Sequence, residues 1–245
     1  MPGALKTEAI VLRSLRYGEA DRILHLYTPA LGRIGAIAKG VRRTRSRFGG
    51  RLEPFCRVRL VCHEGRGELL TVTGVETLEP HAALREQSAT LDCAARACDA
   101  VSRIFETGEP HPDVYNLLAN ELALLAGDPT QACHANALAF RLKLLVAAGL
   151  APALASCASC GALEHLSGFS AAAGGVVCGA CEAASFPFSQ ETYEFMTGAL
   201  ARPLAQAPEA SPQALREAER AIGETLEHHA HLRLRAAAQP VEHVR

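Results

Sequence analysis

Apolar and polar residues alternate in short runs through the first eighty residues of the chain. Alternation with a period of two is typical of strands that bury one face, and Gly- and Pro-containing turns separate the runs. Several short strands at regular spacing favour a small closed or partly open barrel. The five predicted strands are Thr7–Leu12, Arg22–Thr28, Arg33–Lys39, Cys56–Cys62 and Leu69–Thr73.

From His81 the pattern changes to apolar residues at helical spacing, with Gly and Pro between the segments. Ser189 and Ser211 are expected to be N-caps, and Pro212 suits the first turn of a helix. We therefore expect an α+β chain with a barrel domain at 1–80 and a helical domain at 81–245. The predicted helices are Leu84–Glu106, Pro112–Ala126, Gln131–Leu150, Ser189–Ala201 and Ser211–Arg235, with a cysteine-rich insertion at about 155–184.

Charge is divided unevenly between these two parts. The 245 residues include 25 Lys and Arg and 26 Asp and Glu, a formal net charge of −1, which excludes a uniformly basic, chromatin-type protein. Residues 1–80 carry 14 basic and 8 acidic side chains, a net of +6, whereas residues 81–245 carry 11 and 18, a net of −7. An anionic partner is therefore expected on the barrel.

Localisation is predicted from the apolar runs and the cysteines. The N-terminal residues have no apolar signal region, and no run of 18 apolar residues follows. Nine cysteines in a chain without an export signal favour reduced thiols or a metal site over disulfides. We expect a soluble cytosolic protein with no membrane partner.

A basic segment, Lys39–Arg51, follows the third predicted strand and is called the basic loop below. It holds six basic residues and no acidic one. A run of this kind can be a solvated loop that binds nothing, or it can bind an anionic membrane surface, but beside a small barrel it favours nucleic-acid binding. Phe48 is the predicted stacking platform for bases, whereas Tyr27 and Phe55 are expected in the core. The candidate DNA-binding residues of the loop are Lys39, Arg42, Arg43, Arg45, Arg47, Phe48 and Arg51.

Four cysteines have the spacing C-x2-C-x17-C-x2-C, which is typical of a zinc site built from two knuckles. Their arrangement predicts one structural Zn ion; two redox pairs or four unliganded thiols are the alternatives. The ligands would be Cys157, Cys160, Cys178 and Cys181. Most of the other five cysteines are expected to be buried small side chains, and the histidines His228, His229 and His231 are expected to form a solvated helix end.

Sequence signatures of common catalytic sites, such as a phosphate-binding loop or a nucleophile elbow, are not found in the chain. We therefore expect a protein that is not an enzyme. Two alternatives stay open: a zinc-containing adaptor whose acidic helical half docks a partner, and a redox or metal enzyme that uses the four cysteines.

Residues 7–60 resemble the opening of the bacterial recombination-repair mediators of the RecO family, with motifs in the same order and spacing. The cysteine insertion also lies where many members of that family carry one, and the resemblance continues more weakly to about residue 200. The matching stretches are Glu8–Arg13, Tyr17–Leu24, Tyr27–Arg33, Ala38–Arg43, Ser46–Phe48 and Leu52–Phe55.

The resemblance implies an OB-fold barrel, a helical bundle and a zinc-ribbon-like insertion. It also implies binding of single- and double-stranded DNA, annealing of complementary strands, and association with the nucleoid during repair. With RecR, the family helps RecA displace single-strand-binding protein in the RecF pathway, so RecF is an indirect partner. Carried onto this chain, the basic loop would contact DNA, and Arg13, Arg16 and Arg22 would extend that surface.

Overall fold

The computed structural model describes residues 4–46, 48–65, 67–106, 108–181 and 185–236. Packing divides the chain into two compact units, Met1–Pro129 and Thr130–Arg245. The division falls after the first two long helices, so the first unit contains those helices together with the barrel. The predicted boundary at residue 80 instead separates the barrel strands from the helices that follow them.

The first unit contains a closed five-stranded barrel with the strand order β1-β2-β3-β5-β4, which confirms the predicted fold class. Neighbouring strands are antiparallel except β3 and β5, which are parallel. The strands are β1 Leu5–Tyr17, β2 Asp21–Thr28, β3 Gly32–Ala38, β4 Arg57–His63 and β5 Leu70–Glu79.

The barrel core is formed by the inward-facing residues of each strand, as the alternating pattern predicts. Val11, Leu24 and Leu60 are among the fully buried members. A short 3₁₀ helix, Gly49–Leu52, lies beside the core and contributes Leu52. The hydrophobic interior thus includes side chains from the segment between β3 and β4 as well as from the strands.

Two helices pack on the barrel within the same unit: α1, Ser88–Ile104, and α2, Pro112–Gly127. Arg33 donates from Nη1 to the Ser102 carbonyl oxygen at 3.2 Å. The ring of Tyr27 meets that of Phe105 edge-on, with centroids 6.4 Å apart. Buried aromatic contact and hydrogen bonding therefore join β2 and β3 to the end of α1.

In its described residues, the second unit contains three α-helices and a small sheet with the order β7-β6-β8. The helices are α3 His134–Ala147, α4 Gln190–Ala201 and α5 Pro212–Ala230, and the strands are β6 Leu166–Ser170, β7 Gly175–Cys178 and β8 Phe186–Pro187. The helix α5 ends at Ala230 rather than at the predicted Arg235, because His231 adopts a left-handed conformation with φ of 53°. A left-handed residue interrupts the helical hydrogen bonding and commonly terminates a helix.

Both predicted N-caps are confirmed in this unit. The Ser189 hydroxyl accepts a hydrogen bond from the Thr192 backbone N–H, and the Ser211 hydroxyl accepts one from that of Ala214. Each satisfies one of the backbone donors left unpaired at the start of a helix.

Glu217 on α5 holds the start of α4 through several hydrogen bonds. Its Oε2 accepts from the Thr192 hydroxyl at 2.6 Å and from the Ser189 hydroxyl at 2.7 Å. Burial alone would raise the pKa of Glu217, but these hydrogen bonds, with others from the Ser189 N–H and Gln213, outweigh it and lower the pKa to about 2. The ionised carboxylate is therefore the form that stabilises this helix pair.

We expect Glu217→Gln to lower the free energy of unfolding by about 1 kcal/mol at neutral pH, because hydrogen bonds to a charged acceptor are replaced by weaker ones. A group with a lowered folded pKa stabilises the fold above its unfolded pKa and loses that contribution as the pH falls. The wild type should therefore lose more stability than the variant between the ordinary pKa of 4.5 and about 2. Chemical denaturation at pH values across this window, with the exposed-residue variant Glu209→Gln as a control, measures the difference. Equal pH dependence of wild type and Glu217→Gln would contradict the assignment.

Within the parts of the chain that the structure describes, none of the helices combines the length and apolar character needed to span a bilayer.

Candidate functional site

The basic loop begins where β3 ends and is bonded to the turn between β1 and β2. The Gly40 N–H donates to Asp21 Oδ1 at 2.7 Å, and the Arg42 N–H donates to the Ala20 carbonyl oxygen at 2.9 Å. Gly40 has a φ of +67°, which glycine adopts without strain. The loop is consequently held against the β1–β2 turn by its backbone.

Apolar side chains anchor the same loop to the barrel. Val41 packs against the barrel core, and Phe48 lies within it. The residues between these two anchors include Arg42, Arg43 and Arg45, all of which are exposed. The sequence pattern thus turns the apolar residues inward and leaves the guanidinium groups in solvent.

Most of the candidate DNA-binding side chains of the basic loop face solvent. Lys39, Arg42, Arg43, Arg45 and Arg51 are exposed. No ion pair joins Lys39, Arg42, Arg43 or Arg45 to another described residue. Arg47 lies outside the described residues. The loop therefore presents four cations whose charge is not offset by a carboxylate in the described part of the chain.

Other arginines of the barrel are already paired with carboxylates. Arg57 pairs with Glu8 and with Glu79, each at 3.1 Å. Arg59 pairs with Glu8 at 3.2 Å and with Glu76 at 2.9 Å. The positive charge of these two arginines is thus neutralised locally, unlike that of the loop cations.

The three candidate DNA-binding arginines outside the loop differ in how exposed they are. Arg13 and Arg16 are exposed on β1. Arg22 is partly buried, and its Nη1 donates to Glu53 Oε2 at 3.0 Å and to the Ser14 hydroxyl at 3.1 Å. A phosphate would have to compete with Glu53 for Arg22, whereas Arg13 and Arg16 are open to solvent.

Phe48 does not occupy the position expected of a stacking platform. Its side chain is 1% exposed and belongs to the barrel core. In this position the ring offers no face to a base, because it fills the interior instead. The predicted core positions of Tyr27 and Phe55 are confirmed, at 0% and 4% exposure.

Of the four aromatic residues among the first eighty, Tyr17 is the one to which the sequence analysis assigns no role. It is 53% exposed at the end of β1, next to the β1–β2 turn. Its position immediately before the Gly18 turn is the sequence feature that could have indicated an exposed ring. The predicted strand, however, ended at Leu12, and so the exposed end of the hairpin was missed.

The four cysteines of the insertion form a compact cluster in the second unit. Their sulfur atoms all lie within 4.8 Å of one another, and the Cys160 and Cys178 sulfurs are 3.7 Å apart. Tetrahedral coordination with Zn–S bonds of about 2.3 Å requires sulfur separations of about 3.8 Å. The donor set and its spacing fit a single tetrahedral ion.

Backbone geometry brings the two cysteine pairs together. Gly161, with a φ of +79°, closes the first turn by donating its N–H to the Cys157 carbonyl oxygen at 2.8 Å. The second pair begins at Cys178, the last residue of β7. The Ala158 N–H donates to the Val176 carbonyl oxygen at 2.8 Å, which ties the first turn to β7.

The thiols of the cluster interact strongly with one another. The Cys178 backbone N–H donates to the Cys157 sulfur at 3.4 Å and lowers the pKa of Cys157 to about 6. Hydrogen bonds with the neighbouring thiols, that of Cys160 first, raise the pKa of Cys181 to about 12. Four thiolates this close together would repel one another, so binding of a metal ion would be coupled to release of their protons.

The remaining cysteines and the late histidines lie apart from this cluster. Cys56, Cys62, Cys93 and Cys98 are buried and Cys133 is partly buried, as expected of small core side chains. His229 Nε2 lies 2.9 Å from the Ala171 carbonyl oxygen, and the side chains of His228, His229 and His231 are exposed. Among the described residues, the four cysteines are the group whose ligand atoms converge closely enough for a metal ion.

Comparisons with known proteins agree with both halves of the fold. A family model described as Recombination protein O N terminal matches residues 1–81, and one described as Recombination protein O C terminal matches residues 85–237. The DNA repair protein RecO of Rubrobacter xylanophilus is 42% identical over 224 residues, covering 89% of this chain and 88% of the relative. The DNA repair protein RecO of Anaeromyxobacter dehalogenans is 36% identical over 245 residues, covering 95% and 94%. With both family models matched in order and relatives aligned over most of their length, the chain belongs to the RecO family of DNA repair proteins.

Proposed function

We propose that this chain is a recombination mediator that binds single- and double-stranded DNA on the barrel and anneals complementary strands. The observation that carries the proposal is the exposure of four cations of the basic loop that form no ion pair with a described carboxylate: Lys39, Arg42, Arg43 and Arg45. The residues proposed to contact DNA are Lys39, Arg42, Arg43, Arg45, Arg47 and Arg51, extended by Arg13, Arg16 and, more weakly, Arg22.

The proposed mechanism is electrostatic and involves no covalent step. Each phosphate neutralised by a lysine or arginine releases counterions, which supplies binding free energy independent of sequence. Two strands held on one basic surface repel each other less than they do in solution. Pairing of complementary bases then proceeds with a lower electrostatic barrier.

The proposal extends to the helical part and to protein partners. Residues 81–245 have a net charge of −7, which disfavours DNA on that surface and leaves it for proteins. In this scheme the chain acts with RecR to assist RecA loading onto DNA coated by single-strand-binding protein, within the RecF pathway. Residues 1–80 would be the DNA-binding domain, and residues 81–245 the helical domain with its insertion at about 155–184.

We further propose that Cys157, Cys160, Cys178 and Cys181 hold one structural Zn ion. Four sulfur donors, their close spacing and the two-turn arrangement support this assignment. With four protein ligands, no coordination position is left for a substrate or a water molecule. The ion would therefore stabilise the insertion rather than take part in a reaction.

The proposed function is tested by binding and annealing assays on the full chain. Fluorescence anisotropy with labelled single strands and duplexes should show binding to both at low salt, with affinity falling steeply as salt increases. Annealing of complementary oligonucleotides should accelerate under the same conditions and return to the spontaneous rate at high salt. A chain that binds neither DNA at low salt would overturn the proposal.

A further inference from the structure

We infer that Tyr17 is a stacking platform for unpaired bases, placed at the end of the β1–β2 hairpin beside the basic loop; the inference rests on the proposed DNA binding and deepens it. Of the four aromatic residues of the barrel segment, three are buried. Tyr27, Phe48 and Phe55 are at most 4% exposed, whereas Tyr17 is 53% exposed.

Hydrogen bonds place Tyr17 next to the phosphate-binding residues. Tyr17 pairs with Asp21 across the hairpin, and Asp21 accepts the hydrogen bond from Gly40 at the start of the basic loop. The turn residue Ala20 accepts another from Arg42. Tyr17 therefore lies at the hairpin end to which the backbone of the basic loop is hydrogen-bonded, so that one strand can reach both the ring and the loop cations.

An apolar row continues from Tyr17 across the outer face of the barrel. Leu15, two residues before Tyr17, pairs with Ile23, and Ile23 pairs with Ile37 on β3. Directly paired residues project from the same face of a sheet, and the alternate residues Leu24 and Ala36 are buried in the core. Leu15 is 36% exposed. This row lies on the outward face, where bases could lie flat.

Ile37, a member of this row, also lines a groove together with Lys39, Glu64 and Glu68. Lys39 attracts phosphates to the end of the groove next to the basic loop, so the backbone of a strand is directed toward Lys39 and the loop. Bases are then directed toward the apolar row. Charge and apolar surface together select single-stranded nucleic acid over a duplex, whose bases are already stacked within the helix.

The test compares the full-length wild type with Tyr17→Ala and Tyr17→Phe on three DNAs: an oligothymidylate, a strand of equal length with abasic sites, and a duplex. We expect Tyr17→Ala to weaken binding to oligothymidylate about tenfold, within the range measured for removal of one stacking ring. Binding of the same variant to the abasic strand and to the duplex should stay within about twofold of wild type. Tyr17→Phe keeps the ring face and should bind as the wild type does. The control Leu91→Ala truncates another exposed apolar residue of the same unit, on α1, and should change none of the affinities.

Several results separate this inference from the proposed function. Wild type that binds none of the three DNAs overturns the proposed function itself. Wild type that binds all three, with Tyr17→Ala indistinguishable from it, overturns only the stacking role. If Tyr17→Ala lowers the affinity equally for all three DNAs, Tyr17 positions the loop and does not stack on bases. If Tyr17→Phe loses as much affinity as Tyr17→Ala, the stacking role is overturned as well. The wild type alone should bind oligothymidylate more tightly than the abasic strand. Equal affinity for the two strands would contradict the inference, and this comparison does not depend on how a variant folds.

Discussion

Replacing Lys39, Arg42, Arg43 and Arg45 together with glutamine should weaken binding to single-stranded DNA by about a hundredfold or more at roughly 0.1 M salt. Each single-strand phosphate contact contributes about 0.7 decades of affinity at that salt concentration. These four side chains are exposed, and no described acidic group neutralises them. Replacing them therefore removes their electrostatic contribution to the affinity for DNA.

The variant should fold normally, because the loop is attached through its backbone and its apolar residues. The N–H groups of Gly40 and Arg42 make the hydrogen bonds to the β1–β2 turn, and Val41 and Phe48 contact the core. Circular dichroism and thermal unfolding check this expectation.

A matched pair of variants controls for net charge. Arg42→Gln with Arg43→Gln removes two exposed charges from the loop, and Arg202→Gln with Arg216→Gln removes two from the surface of the second unit. We expect the first pair to weaken DNA binding at least tenfold, and the second to leave it within about twofold. Equal losses in the two pairs would show that total charge, rather than the loop, governs binding.

Removal of the metal should loosen the cysteine insertion and leave the barrel folded. Structural zinc sites supply on the order of 10 kcal/mol or more to small domains that fold around the ion. In the described part of the insertion, the buried cluster around the cysteines consists of Cys157, Val177 and Cys178, whereas the barrel has a separate and larger core. If the four cysteines hold zinc as proposed, the knuckles should depend on the ion far more than the barrel does.

Hydrogen exchange measured by mass spectrometry tests this expectation on the full chain, with and without a chelator. Amides in residues 157–166 and 175–181 should lose protection on chelation, and β1 to β5 should keep it. The double variant Cys160→Ser with Cys181→Ser should show the same loss of amide protection and should no longer bind zinc stoichiometrically. The control Cys133→Ser, outside the cluster, should retain both the metal and the protection. Unchanged exchange after complete metal removal would contradict a structural role. Loss of DNA binding from an intact barrel would assign the insertion to the DNA-binding surface.

Sequence reasoning predicted the elements well where periodicity was clear and less well at their ends. The barrel follows from alternation, and the four-cysteine cluster follows from spacing, since both are local signals. The length of β1 was underestimated because Arg13, Arg16 and Tyr17 form an exposed hairpin end, which lacks the buried positions that mark a strand.

Phe48 shows why exposure is harder to predict than secondary structure. Glycine and basic neighbours indicate an exposed loop around it, yet the ring fills the barrel interior. Whether an aromatic side chain in a loop faces solvent depends on space left in the core by distant strands. That information is tertiary, and the ring that is exposed, Tyr17, was found only from the structure.

The salt dependence of single-stranded DNA binding tests the central claim most directly. The slope of log affinity against log salt, measured for wild type and for the variant lacking the charges of Lys39, Arg42, Arg43 and Arg45, reports the number of phosphate contacts. We expect the variant's slope to be smaller in magnitude by about 2 to 3, at roughly 0.7 for each lost contact. The same slope for both proteins would contradict the assignment of the basic loop as the DNA-binding surface.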